Sequence, residues 1–312
     1  VRKGPKTFRG RYAESQGGKG SNQAIAARRA GNGRVVCLVG AVGQDPWGEQ
    51  ALTALRDAGV DTRHVRCDPT APTGIVMEYL YVDGEVTIGL EPGANDCVTV
   101  DDVELARPTI EGAGLLLGQI ENPLAAVENA FRLARDAGTA TCLDPSVVPV
   151  EDVQRRRLFD SILPLVDLLA PNRSEAAELT GIPVTDDETA LGAARRLLQH
   201  VPIVVLTRGA DGALVAHDDD TCFVRGLDVN GIDGGAAGDT FRGALALALA
   251  EAMETHSLSL AGLPFGVLAD AVHFANAAAA ICVTRPGACP SIPLREEIDA
   301  MLLSATAQEH RR

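Results

Sequence analysis

Basic residues are in deficit: 28 Lys and Arg stand against 42 Asp and Glu, a formal net charge of −14, with no run of Lys or Arg long enough to make a stripe. That balance argues against non-specific nucleic-acid binding and against adhesion to anionic membranes. An anionic ligand would have to be held locally, by helix N-termini and a few cationic side chains. No apolar run approaches the length of a bilayer span, and nothing resembles a signal peptide. The seven cysteines (37, 67, 97, 142, 222, 282 and 289) are odd in number and contain no CxxC pair. They read as free thiols of a reducing compartment, so a cytoplasmic location is expected. The six histidines include no pair at metal-ligand spacing, which removes a zinc site. Asn172-Arg173-Ser174 fits a glycosylation acceptor, and without a leader it reads as chance. Also lacking is an opening strand: residues 1–16 are polar, basic and glycine-containing, so the first strand of an α/β domain is expected to be missing.

What is present is apolar material for a large core, since 46% of the 312 residues are hydrophobic and 22% charged, the profile of a globular protein. Residues 35–42, 115–120, 139–143, 166–170 and 203–207 read as buried strands. Residues 46–58, 124–137, 174–180 and 188–200 have helical periodicity, the first three stopped by Gly59, Gly138 and Gly181. The last third is helical over 240–253, 265–283 and 295–305. This βαβα order predicts a three-layer α/β sandwich with a mostly parallel central sheet, whose ligands collect at the carboxyl ends of the strands. Residues 74–90 break the rhythm as a hairpin turning at Asp83-Gly84. Its first strand is apolar on both faces: either one face covers a ligand and the other meets a second subunit, or the hairpin packs on the main core. No low-complexity linker divides the chain, so a single domain with a small lid is expected.

The strongest local signal is Asp233-Gly-Gly-Ala-Ala-Gly238-Asp239-Thr-Phe, a small-residue turn running straight into a helix. Small residues let backbone N–H groups approach an anion, and the helix N-terminus adds its positive end. Asp239 in the first turn would stand beside that anion, where a base serving an attack on phosphate must be. The alternative is an ordinary helix start with Asp as a cap. Gly17-Gly18-Lys19-Gly20-Ser21-Asn22-Gln23 precedes an Ala-rich helix. It is not a Walker A loop, because Lys19 is followed by Gly. It suits a polyhydroxylated ligand, or is a flexible turn with a solvated Lys. Glu121 follows the strand at 115–120, on the crevice side. Asn172 and Glu175 at the next strand-to-helix turn either hold a hydrated Mg²⁺ or form a capping box, and the two are compatible. Thr207-Arg208-Gly209 follows the strand at 203–207. These signals converge on strand ends.

The Gly-Gly-Lys-Gly-Ser-Asn-Gln-Ala and Ala-Ala-Gly-Asp-Thr-Phe segments resemble the two signatures of PfkB-type carbohydrate kinases. The stretches Gln119-Ile-Glu-Asn-Pro-Leu124, Ala170-Pro-Asn-Arg-Ser-Glu-Ala176 and residues 277–297 are similar to the ribokinase-like branch of that family. The resemblance implies one ribokinase-like domain over residues 1–312, with a small β lid contributed by residues 5–16 and 73–92 and a homodimer formed through the lid. It implies ATP-dependent transfer to the 5-hydroxyl of a small sugar, ribose first. Asp239 would be the general base, with Ala236, Ala237 and Gly238 as the anion hole. Gly18, Lys19, Asn22, Glu121 and Asp233 would contact the sugar. Asn172, Thr207, Gly209, Gly238 and Asn276 would contact ATP, Asn276 near the adenine, and Glu175 would reach Mg²⁺ through water. A monovalent cation, K⁺, would be held at Asp233, Gly235, Cys282, Arg285, Gly287 and Ser291. The chain departs from the pattern at four places: the strand with an Asn-x-Asp is expected before Val1, Gly234 stands where Thr is common, Arg173 where an acidic residue is frequent, and Gln44 replaces another acid. Rival readings are a kinase for fructose, 2-keto-3-deoxygluconate or a nucleoside, a silent binding relative, and a dinucleotide-binding oxidoreductase. The last is disfavoured because no GxGxxG follows the first strand.

Overall fold

The computed structural model describes residues 14–31, 33–80 and 86–309. Continuous apolar runs give strands buried on both faces, and 3.6-residue repeats give the helices that cover them. In chain order the elements are α1 (Lys19–Ala30), β1 (Cys37–Gly43), α2 (Pro46–Asp57), β2 (Asp61–Asp68), β3 (Ile75–Leu80), β4 (Val86–Glu91), α3 (Val100–Leu105), α4 (Arg107–Glu111), β5 (Leu115–Gln119), α5 (Leu124–Ala137) and β6 (Ala140–Asp144). There follow α6 (Asp152–Arg157), β7 (Leu168–Leu169), α7 (Arg173–Thr180), α8 (Asp187–Leu197), β8 (Ile203–Thr207), β9 (Ala213–His217), β10 (Asp220–Val224), α9 (Ala237–His256), α10 (Phe265–Val283) and α11 (Arg295–Glu309).

The main sheet has the order β10-β9-β8-β7-β6-β5. Strands β5 to β8 are parallel, while β9 and β10 run antiparallel at one edge. The remaining described strands form two pairs, β1 with β2 in parallel and β3 with β4 antiparallel. The mostly parallel sheet and the order of its helices follow the expectation. Three strands were not foreseen. Strand β2 reads Asp-Thr-Arg-His-Val-Arg-Cys-Asp, too charged to signal a strand. Strands β9 and β10 form a return hairpin at a sheet edge, turning through Asp218 at a positive φ of 52°. Strand β7 spans only Leu168–Leu169 of the expected 166–170.

Period-two alternation divides the core between the two faces of the sheet. Leu168, Ile203 and Val205 face a cluster with Phe241, Leu245 and Leu249 of α9 and Leu268 and Val272 of α10. Leu169, Val204 and Leu206 face another with Phe131 of α5, Leu179 of α7 and Leu197 of α8. Gly118 in β5 lets the Phe131 ring lie on the sheet, since a Cβ there would stand 2.5 Å from its Cε2 atom. Phe131→Ala is expected to cost about 3–5 kcal/mol in urea denaturation, the range for deleting a buried aromatic; a loss below about 1 kcal/mol would mean that the site collapses around the void. Helix α10, with 19 residues and a mean hydropathy of 1.6, is long and apolar enough to cross a bilayer, contrary to the sequence expectation. Its burial against α9 and the sheet is that of a core helix.

The β3–β4 pair coincides with the expected hairpin, although the Asp83-Gly84 turn and residues 5–13 of the expected lid lie outside the described residues. Val76, Met77, Tyr79 and Leu90 on this ribbon are all more than half exposed, at 52%, 51%, 55% and 58%.

Candidate active site

Two helices separated by more than 200 residues of chain cross tightly at the carboxyl end of the sheet. A Cβ on Gly243 of α9 would lie 2.3 Å from the carbonyl oxygen of Gln23 and 2.7 Å from the Cβ of Ala26 in α1. The missing side chain lets α1 seat directly on α9. Helix α1 begins after Gly18, whose φ of 97° few residues other than glycine adopt. The crossing brings Asn22 and Gln23 onto Asp239. Asn22 Nδ2 donates to Asp239 Oδ2 at 2.8 Å, and Gln23 Nε2 donates to Oδ1 at 3.1 Å. Gln23 Nε2 also donates to Asp144 Oδ2 at 2.7 Å, while Gln119 donates to the Gln23 amide oxygen and so fixes which way that amide faces.

Asp239 is 7% exposed and lies in the first turn of α9. Burial pushes its carboxyl up to about 6; the donors Asn22 and Gln23 oppose the shift, the negative Asp144 adds to it, and Arg242 works against it. Around it, the N–H of Ala237 is used by the Gly234 carbonyl at 3.2 Å, and Thr240 N–H continues the helix to Ala236 at 2.8 Å. Among the described residues, the N–H groups of Ala236, Gly238 and Asp239 have no acceptor. They are the orphan donors of a helix start, and Gly238 is exposed to solvent. The expected anion hole therefore has two of its three amides open, together with that of Asp239 itself.

The other sequence candidates gather around this centre in groups. Lys19 and Glu121 form an ion pair that ties the start of α1 to the end of β5; burial pulls the Lys19 ammonium down, but Glu121 outweighs it and the net shift is upward. Asn172 caps α7, accepting from Glu175 N–H at 2.9 Å, while its own N–H donates to Glu175 Oε2 at 2.8 Å. The capping box is thus formed, and burial raises the Glu175 carboxyl to about 7 although Arg242 opposes the shift. Thr207 N–H donates to Pro171 O at 2.8 Å, which sets Thr207 beside Asn172 and ahead of Gly209 at φ 64°. Asp233 accepts from Gly235 N–H at 2.9 Å and Gly287 N–H at 2.8 Å, clasping the turn before α9 to the loop after α10. Cys282 Sγ, in the last turn of α10, lies 3.1 Å from that loop's Ser291 Oγ, which donates to Ala288 O at 2.7 Å, and Arg285 of the loop pairs with Glu297 of α11. Asn276 is committed elsewhere: its amide donates to the Val224 and Arg225 carbonyls at 3.1 and 3.2 Å, tying α10 to β10.

Four residues at the centre were missed by sequence reasoning: Gln23, Gln119, Asp144 and Arg242. Asp144 carries no exposure at all, and Arg242 is 4% exposed, with its Nε 3.1 Å from Asp144 Oδ1 and its Nη2 3.1 Å from Glu175 Oε2. A lone Arg between Phe241 and Gly243, just before the Ala-Leu repeat of residues 244–250, was the available signal. Such a charge is buried only with partners.

An acid seated among open amides at a helix start, on the carboxyl end of a parallel sheet, is an arrangement for accepting a proton beside an anion. The chain belongs to the pfkB family of carbohydrate kinases, whose model matches residues 8–295. It is 34% identical to the ribokinase of Haemophilus influenzae over 287 residues, covering 92% of this chain and 87% of that protein. The solved ribokinase of Giardia lamblia superposes with a TM-score of 0.87 at 29% identity, over 96% of this chain and 92% of its own. That of Arabidopsis thaliana, solved complexed with ribose and ATP, matches with a TM-score of 0.81 at 27% identity, over 97% and 92% of the two chains. The fold is therefore ribokinase-like, and the enzyme class is carbohydrate kinase.

Proposed function

We propose that this protein is a ribokinase, transferring the γ-phosphoryl group of ATP to the 5-hydroxyl of D-ribose. The observation that carries the reading is the Asp239 carboxylate, oriented by Asn22 and Gln23 and bordered by unpaired helix-start amides. Asp239 accepts the proton of the attacking hydroxyl. The N–H groups of Ala236, Gly238 and Asp239, with the positive end of α9 behind them, receive negative charge on the transferring group. Gly18, Lys19, Asn22, Glu121 and Asp233 hold the sugar. Asn172, Thr207 and Gly209 flank the nucleotide, while Asn276, whose amide is held by the Val224 and Arg225 carbonyls, would border it only through its place on α10.

A Mg²⁺ that arrives with nucleotide would meet the protein through water. Glu175, whose carboxylate also accepts from Asn172 and Arg242, would be its water-mediated contact, and the ion would neutralise phosphate charge. The loop joined by Asp233, Gly235, Cys282, Arg285, Gly287 and Ser291 offers oxygen donors of the kind a hard monovalent cation such as K⁺ takes. Its clasp through Asp233 supports that assignment. The half-exposed apolar ribbon β3–β4 supports a lid that closes over the sugar and meets the lid of a second copy. A cytoplasmic setting accords with seven free cysteines among the described residues.

The test is a panel of ribose, deoxyribose, fructose, 2-keto-3-deoxygluconate and adenosine with ADP release as readout. Ribose is expected to give the highest kcat/KM, and a preference for any other acceptor would replace the assignment. The activity must also rise with pH. The base works only as a carboxylate; burial raises Asp239 to about 6 against the donors Asn22 and Gln23, Asp144 on β6 adds to the shift, Arg242 on α9 opposes it, and Lys19 on α1 also faces the group. Since protonation removes the base, kcat/KM is expected to fall as pH drops through 6, to about a tenth of its plateau one pH unit below that inflection. A profile flat from pH 5 to 8 would contradict it.

A further inference from the structure

Arg242 lies one turn beyond Asp239, and its side chain runs back along α9 toward the helix start. Its Nε donates to the Ala170 carbonyl at 3.0 Å and pairs with Asp144 Oδ1, while its Nη2 donates to Glu175 Oε2. The guanidinium fills the place that a side chain on Gly238 would take: a Cβ there would stand 2.8 Å from Nη1. A side chain at this anion-hole position would therefore have to displace the Arg242 guanidinium. From Arg242 a continuous chain leads to the base. Asp144 Oδ2 accepts from Gln23 Nε2, and the same nitrogen donates to Asp239 Oδ1. Gln119 locks the Gln23 amide the right way round. One cation therefore joins the ends of β6 and β7 and the starts of α7 and α9, and through Gln23 it reaches α1.

Burying such a network costs desolvation, and apolar replacements of the same shape are often as stable. Stability alone is then a weak reason for it. We propose that Arg242 is a positioning residue for phosphoryl transfer, fixing through Asp144 and Gln23 the direction in which the Asp239 carboxylate faces the acceptor hydroxyl. The inference rests on Asp239 being the base. Displacing a reacting group by about 1 Å costs up to about 100-fold in rate, so a loosened network shows in kcat before it shows in substrate binding.

The experiment measures kcat, both KM values and the melting temperature of Arg242→Gln, Arg242→Lys, Asp144→Asn and the Arg242→Gln/Asp144→Asn double variant. Each single neutralisation leaves a buried charge unpaired and is expected to lower the melting temperature. The double variant removes both charges and is expected to regain most of that loss. Its kcat is expected to remain about 10- to 100-fold down, with KM for ribose and for ATP within about twofold. Arg242→Lys keeps the charge but cannot span Asp144, Ala170 and Glu175 together; it is expected to fold normally and still lose kcat. Full kcat in the double variant, or in Arg242→Lys, would overturn the positioning role. Asp239→Asn in the same series separates the two readings. Near-normal turnover there removes the base itself, whereas a silent Asp239→Asn beside a fully active double variant removes only Arg242.

Discussion

Asp239→Asn is expected to lower kcat by about 10²–10⁴, the usual worth of a positioned base, with ATP affinity by calorimetry nearly unchanged. The substitution keeps the size of the side chain and an oxygen for one of the donors Asn22 and Gln23, so the crossing of α1 and α9 has no reason to open. What it removes is the ability to take a proton. The anion hole consists of backbone amides, which the variant leaves in place, and that is why binding and turnover should separate. Retention of more than about a tenth of wild-type kcat would take Asp239 out of the chemistry, since even a modest general base contributes more than that.

The second large effect is expected from Gly243→Ala, one helical turn beyond Asp239. The added methyl meets the Gln23 carbonyl oxygen at 2.3 Å, backbone against backbone, so no side-chain rotation relieves it. Helix α1 must move off α9. Overpacking of this kind costs about 1–3 kcal/mol, readable as a lower urea midpoint. The same shift carries Asn22 and Gln23 away from the carboxylate they orient, and kcat is expected to drop by about 10- to 100-fold. A variant with unchanged midpoint and unchanged turnover would show that the crossing has slack and does not set the geometry of the base.

Local patterns made much of the fold legible. The helices over 124–137 and 265–283 and the strand over 203–207 have the boundaries their periodicity gives, because each is an uninterrupted apolar pattern ended by a turn signal. The sequence was mute where a strand's role is to cover an edge. Strand β2 carries charge on a partly exposed surface, and β10 closes a sheet margin, so neither needs an apolar run. At the site, the residues in Gly-rich or capping motifs were legible: Asp239 at a helix start, and Asn172 with Glu175 as a capping box. The hub was not. Gln23 and Gln119 are neutral amides: Gln23 matters through its bonds to Asp144, Asp239 and Gln119, all from distant segments, and Gln119 matters through Gln23 alone. Asp144 is one acid at the end of an apolar strand, a position that could have been flagged by the same rule that flagged Glu121.

The distance in sequence between α1 and α9 bears on how the protein acquires activity. The contacts that seat Asn22 and Gln23 on Asp239 span 217 and 216 residues. Closing loops of that length is slow compared with pairing neighbouring strands and helices, whose contacts are local. Refolding from denaturant should therefore restore the far-ultraviolet signal of the β5–β10 layer and its helices well before it restores catalysis. Nascent chains leaving the ribosome should likewise stay inert until residues beyond 243 have emerged to receive the first helix.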